Sequence, residues 1–439
     1  MKKIFLVLMA VSLLAGNLFA GGGKQQSSGG ASGSEVVTLT FWDVNPGPER
    51  TPYLEEIIKW YHESQDRIRI KYVGVPQSQS VDKINVAIAG NAVPDISGTQ
   101  LVSISGFIAQ KALLKLDDTF NAWSESKQFD PGVINVVRNP DPNRGLYMIP
   151  DRVSYETMWY RIDRFKDAGL GAPQSWDEFF NAVAKLTNAS KGEYGFAIRG
   201  GSGSAKQLQT MLITYAGVKT YFDQNGNALF RDPAALEFLT RFAGIYNKYT
   251  AAGDVNYDYQ AMVAAFDSGA ANMIHHNLGS LAEHTKALPA GSFGTVFFPR
   301  SVKGYYCSPS PSAGGYSVFE GSKYKNEAID FLKFLTSEKV ISYWDQIIGE
   351  LPSRLDVLEH DWVKNADYLK NITPVIKSPD TVYVDLPTYL PEYNRILTEI
   401  VEPGFQSVLL GRTTPKALLD EWATAIEQAY KRYQDNIKK

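Results

Sequence analysis

The sequence predicts an α/β protein of two lobes, each a mainly parallel sheet flanked by helices. Three observations carry that expectation. Near the N-terminus, stretches of period-2 alternation and of helical periodicity follow one another in the order βαβαβ, which implies parallel strands joined by right-handed crossovers. A second strand-and-helix unit starts near Tyr155. The chain has 439 residues and a single cysteine, Cys307, so no intramolecular disulfide can form and burial must supply the stability. That length exceeds what one core usually serves.

The first strand covers residues 36–42, where Val37, Leu39 and Phe41 alternate with Thr38 and Thr40. Thr51 and Pro52 open a helix with Leu54, Ile57, Ile58 and Tyr61 on one stripe; Pro is tolerated in a first turn, where its missing N–H would be unpaired anyway. Residues 67–73 alternate again, a helix follows around residues 81–89, and residues 94–96 read as a short third strand. In the second unit, residues 157–162 read as a strand. Ser175 and Glu178 form a capping box, with the Glu reaching back to the Ser N–H, ahead of a helix that buries Phe179, Val183 and Leu186. Asp232 and Pro233 open a helix with Leu236, Leu239, Ala243 and Tyr246 on its inner face. Residues 325–336 are amphipathic through Ile329, Leu332 and Leu335. Thr414 and Pro415 open a last helix, buried through Leu418, Trp422, Ile426 and Tyr430. There is no internal repeat of fixed period.

Lys2 and Lys3 precede an apolar run from Ile4 to Leu14, the pattern of a signal peptide and too short for a membrane span. The expected signal peptide covers residues 1–20. Leu13, Leu14, Ala15 and Gly16 resemble the start of a lipoprotein processing site, but Asn17 stands where the lipidated Cys would be. Residues 21–34, rich in Gly, Ser and Gln, form a linker with nothing to pack, as a tether would be. The chain is therefore expected to be exported, periplasmic or at the cell surface, with membrane tethering as an open alternative. A net charge of −3 without a basic block argues against nucleic acid as a partner. Aromatic residues make up 12%, and a Tyr or Trp offers a sugar ring an apolar face with a polar tip.

The order of short motifs resembles the family 1 extracellular solute-binding proteins of ABC importers, the group of the maltose-binding protein. The residues that carry this are Val37 to Trp42; Gly90-Asn91-Ala92-Val93-Pro94-Asp95-Ile96; Gly145 to Pro150 followed by Met158 to Asp163; Phe165 to Leu170 and Pro173 to Glu178; Phe266 to Met273; Gly314 to Phe319 leading into Lys325 to Leu332; Gly349 to Arg354; and Gly411 to Pro415. Each motif is weak alone, but their order spans nearly the whole mature chain. The resemblance implies two discontinuous α/β lobes, residues 35–152 with 316–350 and residues 153–315 with 351–439. It also implies a hinge between them and a small ligand, a mono- or oligosaccharide, closed into the cleft and delivered to a membrane ABC permease by a monomer. After Met273, sugar binders of this family often carry a stacking Trp. Here Ile274-His275-His276-Asn277-Leu278-Gly279 has none, which implies a ligand held more by hydrogen bonds.

Candidate ligand contacts follow from two rules. Ligands of open parallel sheets sit beyond the carboxyl ends of the strands, which singles out Asp43, Gln77 and Gln100. The interlobe crossings add Asp151, Tyr155, Gly315, Tyr316 and Glu350, and loops add Arg199, His276, Asn277 and Tyr389. Gly314 and Gly315 permit close backbone approach. Arg199 to Ser204 can offer free helix N–H groups, but no Walker loop follows. No cofactor or metal is expected: adjacent strand residues His275 and His276 point to opposite faces, and Tyr305 and Tyr306 lack further ligands. No HExxH helix, G-x-S-x-G elbow, P-loop or Cys nucleophile occurs, so no enzyme is expected. A glycosidase needs only two carboxylates, so an exported carbohydrate-active hydrolase stays open, as does a binder of glycerol phosphate, polyamine or metal.

Overall fold

The computed structural model describes residues 36–376 and 378–437. The expected signal peptide and linker lie outside the described residues. Strands β1 (Val37–Asp43), β2 (Ile68–Gly74), β3 (Ile96–Gln100) and β4 (Ile149–Ser154) are followed by β5 (Glu156–Arg161), β6 (Met273–Asn277) and β7 (Phe293–Val296). Next come β8 (Tyr306–Pro309), β9 (Ser312–Val318), β10 (Leu351–Pro352) and β11 (Thr381–Val384). Two hydrophobic cores form. One gathers Phe41, Ile57, Ile96, Ile149, Val318 and Phe331; the other gathers Trp159, Phe179, Leu212, Phe238, Tyr393 and Trp422.

The first core lies under a six-stranded sheet of order β10-β4-β9-β3-β1-β2. β1 runs parallel to β2 and β3, as the βαβαβ pattern requires. The helix Thr51–Ser64 buries Leu54, Ile57, Ile58 and Tyr61, the stripe read from its spacing. Each such side chain contributes about 1.5–3 kcal/mol when fully buried. β3 begins at Ile96 rather than at residue 94, because Asp95 is used to join loops: its carboxylate accepts from Thr40 N–H at 2.8 Å and from Ser322 Oγ at 2.6 Å.

Several local expectations are corrected. β9 is antiparallel to β3 and β4, and β5 is antiparallel to both β6 and β7, so the sheets are mixed rather than mainly parallel. Side-chain alternation records which face is buried and carries no strand direction. In the capping box, Ser175 Oγ does accept from Glu178 N–H, but Glu178 reaches the N–H of Gln174 instead of Ser175. The helix Pro233–Ala243 buries Ala235, Phe238, Leu239 and Phe242, because the two bulky Phe rings claim the inward face and the helix ends before Tyr246.

The chain passes from one core to the other at Tyr155, between β4 and β5. It returns at Ser310 and Pro311, between β8 and β9, and leaves again between Val357 and Leu369. The lobe boundaries expected at 152/153 and 315/316 shift by a few residues, since they cut β4 and β9 within the first sheet, and the one expected at 350/351 moves past β10, which pairs with β4, to between Val357 and Leu369. No helix among the described residues is long and apolar enough to cross a membrane.

Candidate functional site

Between the two cores lies a cavity of ≈ 590 Å³ with walls from both lobes. On the second-lobe wall, Glu156 is the first residue of β5, placed where the chain leaves the larger sheet. Its Oε1 lies 2.8 Å from Lys206 Nζ and its Oε2 lies 3.0 Å from His275 Nε2 on the neighbouring strand. Burial pushes this carboxyl up, but the Lys206 ammonium and the His275 hydrogen bond outweigh burial and hold it ionised, well below the usual range. His276 follows His275 along β6 and faces the cavity, with its ring 4.8 Å from that of Tyr259 and its Nδ1 3.1 Å from Ser280 Oγ. Burial keeps His276 neutral, its pKa well below the ordinary histidine value.

The loop between Arg199 and the helix Ser204–Ala216 closes around the Arg199 guanidinium. Arg199 Nε donates to the Ser202 carbonyl at 2.6 Å. A Cβ on Gly203, whose φ is +83°, would meet Arg199 Nη2 at 2.0 Å, so only glycine fits there. Glu402 accepts from Gly203 N–H at 2.6 Å and so occupies the start of that helix, where N–H groups have no intrahelical partner. Burial lowers the Arg199 pKa, opposed by the Glu402 and Glu156 charges.

On the first-lobe wall, Arg50 donates through Nη2 to the carbonyl of Gly279 in the other lobe. Its neighbour Glu49 pairs with Lys286, also across the lobes. Glu350 Oε1 accepts from Ser154 Oγ at 3.1 Å, while Oε2 has no hydrogen-bond partner among the described residues. Burial pushes the Glu350 carboxyl up to about 7, against the pull of Arg152 and Arg50. A Cβ on Gly279 would come within 2.6 Å of Glu350 Oε1, so a side chain at this joint between lobes would displace the carboxyl. Arg152 fills the space left by Gly314 and is neutralised by both Asp151 oxygens, at 2.8 and 2.7 Å. Charges of both signs thus line the cavity: Glu156 pairs with Lys206 and Arg152 with Asp151, while Arg50 and Arg199 each donate to a backbone carbonyl. Amides and hydroxyls stand between them, and aromatic rings are few. Such a wall suits the donors and acceptors of a neutral, hydroxyl-bearing ligand.

The family model for the bacterial extracellular solute-binding proteins matches residues 47–341. The chain belongs to that family. The arabinooligosaccharide-binding protein of Bacillus subtilis is 25% identical to it, across 98% of this chain and 100% of the relative. The multiple sugar-binding protein of Streptococcus mutans is 23% identical across 78% of this chain and 80% of its own. Among solved structures, the GacH receptor of Streptomyces glaucescens, studied unliganded and with acarbose, aligns with a TM-score of 0.78 at 22% identity, covering 90% of this chain and 99% of that one. Maltose-bound MalE3 of T. maritima aligns at 0.78 with 19% identity, covering 89% and 99%. These likenesses show the two-lobe α/β fold.

In this extracellular solute-binding protein, Gln77, Gln100, Arg199, His276, Asn277 and Glu350 come together on the cavity wall. The other expected contacts stand off it. The Asp43 carboxylate turns to Asn45 N–H and Tyr72 Oη, at 2.9 and 2.8 Å, and Asn45 lines the cavity in its place. Asp151 and Gly315 sit one residue out of phase with Arg152 and Gly314, which do line it, because adjacent strand residues face opposite ways. A Cβ on Gly315 would meet the Ile149 carbonyl at 2.3 Å. Tyr155 packs near Tyr383 at the crossing, Tyr316 lies in the first core against Phe41, and Tyr389 packs on Tyr433. Sequence reasoning missed Arg50, Lys206, Tyr259 and the group Asn394, Thr398 and Glu402. Only the last left a signal, polar residues spaced at i, i+4 and i+8 along a helical segment.

Proposed function

We propose that this solute-binding protein takes up a neutral sugar, a mono- or oligosaccharide, in the interlobe cavity and delivers it to a membrane ABC permease. The observation that carries the reading is the cavity itself. Its ≈ 590 Å³ fall within the range of about 300–1,000 Å³ of small-molecule sites. Its walls combine hydrogen-bonding groups from both lobes with charges of both signs, among them the Glu156–Lys206 pair and the Arg152 guanidinium held by Asp151. The relatives whose names record a ligand, such as the arabinooligosaccharide-binding and multiple sugar-binding proteins, support the sugar class.

The protein acts as an exported monomer, and it binds without turnover. Glu156 supports the last point, since Lys206 and His275 occupy both its oxygens and keep it from serving as an acid. The test is a thermal-shift screen with arabinotriose, maltose, monosaccharides, polyols, glycerol phosphate, polyamines and divalent metals. A ligand at a hundred times its Kd adds about 2.7 kcal/mol of stability. A shift confined to sugars is expected. A shift with only the charged ligands would end the sugar reading, and shortened products on chromatography after incubation would end the claim of binding without turnover.

A further inference from the structure

The polypeptide from Tyr393 to Leu409 is helical throughout, but one turn of it is not α-helical. Over Leu397–Val401 the backbone forms a π-turn, in which the Glu402 N–H donates to the Leu397 carbonyl five residues back. The sequence supplies a cause. Pro403 has no N–H to give to the Glu399 carbonyl, and its ring would collide with that carbonyl in a regular α-helix. One extra residue in the turn removes the conflict.

The consequence lies in what the two ends of this segment face. Beyond the turn, Phe405, Val408 and Leu409 are buried. Gly404 packs so tightly that a Cβ would meet Leu418 Cδ1 at 2.5 Å. The downstream half is therefore fixed in rotation by the core, and the upstream half is held there too, through Tyr393, Ile396, Leu397 and Val401, so the extra residue is what lets both halves meet the core at once. Asn394 before the turn, Leu397 and Thr398 within it, and Glu402 at its end line the cavity. Each residue of an α-helix turns the chain by about 100°. With the downstream half fixed, removal of the extra residue would swing Asn394 and Thr398 by about that angle off the cavity wall and draw Tyr393 and Ile396 off the core. The segment also abuts the opposite lobe, where Ser105 Oγ donates to the Leu390 carbonyl at 3.4 Å.

We propose that the π-turn imposed by Pro403 is the specificity-setting element of the cleft, presenting the Asn394 amide and the Thr398 hydroxyl to the hydroxyls of a bound sugar ring. The inference rests on the sugar reading. Thr398 Oγ1 donates to the Asn394 carbonyl at 3.2 Å, which leaves its oxygen free to accept from a ligand hydroxyl.

The test uses Pro403→Ala and Thr398→Val in the full chain, with crystallography of the first and calorimetric titration of both against arabinotriose and maltose. In Pro403→Ala the Glu402 N–H should return to the Thr398 carbonyl, with a lower unfolding temperature as Tyr393 and Ile396 leave the core, and a Kd raised tenfold or more. Thr398→Val should raise Kd about fivefold, the loss of one hydrogen bond, without changing the unfolding temperature. A π-turn that persists in Pro403→Ala would overturn the assignment of its cause, and unchanged affinities in both variants would overturn its role. If the unaltered protein binds neither sugar, the sugar reading is what fails. The crystal structure of Pro403→Ala then decides the inference: Asn394 and Thr398 displaced from the cavity support it, and the same residues in place refute it.

Discussion

Replacing Glu350 by Gln tests whether the carboxyl on the cleft wall opposes folding at neutral pH. Glu350 is 4% exposed and its Oε2 has no partner among the described residues. Burial raises its pKa from 4.5 to about 7. At about 1.4 kcal/mol per unit, ionising it in the folded protein costs roughly 3 kcal/mol. The folded state holds this proton more tightly than the unfolded chain. Stability from this group is therefore lost as pH rises from about 4.5 to about 7 and is level above that. Glutamine keeps the bond from Ser154 Oγ through its amide oxygen and cannot ionise. Calorimetric unfolding without ligand should give nearly the same Tm for both proteins at about pH 4.5. By about pH 8 the variant should melt several degrees higher. Asp254, also pushed up to about 7 by burial, adds a similar slope to both proteins, so the informative quantity is the difference between the two curves. Parallel Tm curves across that range would refute the reasoning, since Glu350 would then be ionised at no cost.

Two further substitutions address the site. Glu156→Ala leaves Lys206 and His275 without their shared carboxylate. The expected loss is about 2–3 kcal/mol in denaturant unfolding, below that of a fully buried pair because Lys206 is 37% exposed, together with weaker sugar binding. Unchanged stability would show that the pair is open to water. Asp43→Asn should leave sugar affinity within about twofold, because Asp43 is spent on Asn45 and Tyr72 and stands off the cavity; a tenfold loss by titration would return it to the site.

The fold was legible where local rules coincide with the tertiary outcome. The stripe of Leu54, Ile57, Ile58 and Tyr61 and the alternation of β1 both record burial, and burial is what the structure shows. Strand direction was not legible. The antiparallel course of β5 against β6 and β7 depends on where the connecting chain runs, which no local pattern encodes. The helix Pro233–Ala243 failed for a related reason. Both its apolar stripes satisfy helical spacing, and only the partner surface selects the one with Phe238 and Phe242.

The site divides along the same line. The strand-end rule located the right region, and Gln77 and Gln100 do line the cavity. The rule cannot choose between neighbours, and one residue of phase separates Asp151 from Arg152 and Gly315 from Gly314. Which of each pair faces the cavity is decided by packing. Arg152 can take its place only because Gly314 has no side chain, and Asp151 must follow because a guanidinium so enclosed needs its carboxylate. The same dependence recurs at Gly203 with Arg199 and at Gly279 with Glu350. In each case a cavity-lining charge is set by a glycine, and for Gly314 and Gly279 that glycine lies on a different segment from the charge. The pairing is invisible along the sequence, but it makes a prediction of kind: a side chain added at any of these three glycines should displace the charge it accommodates before it unsettles either core.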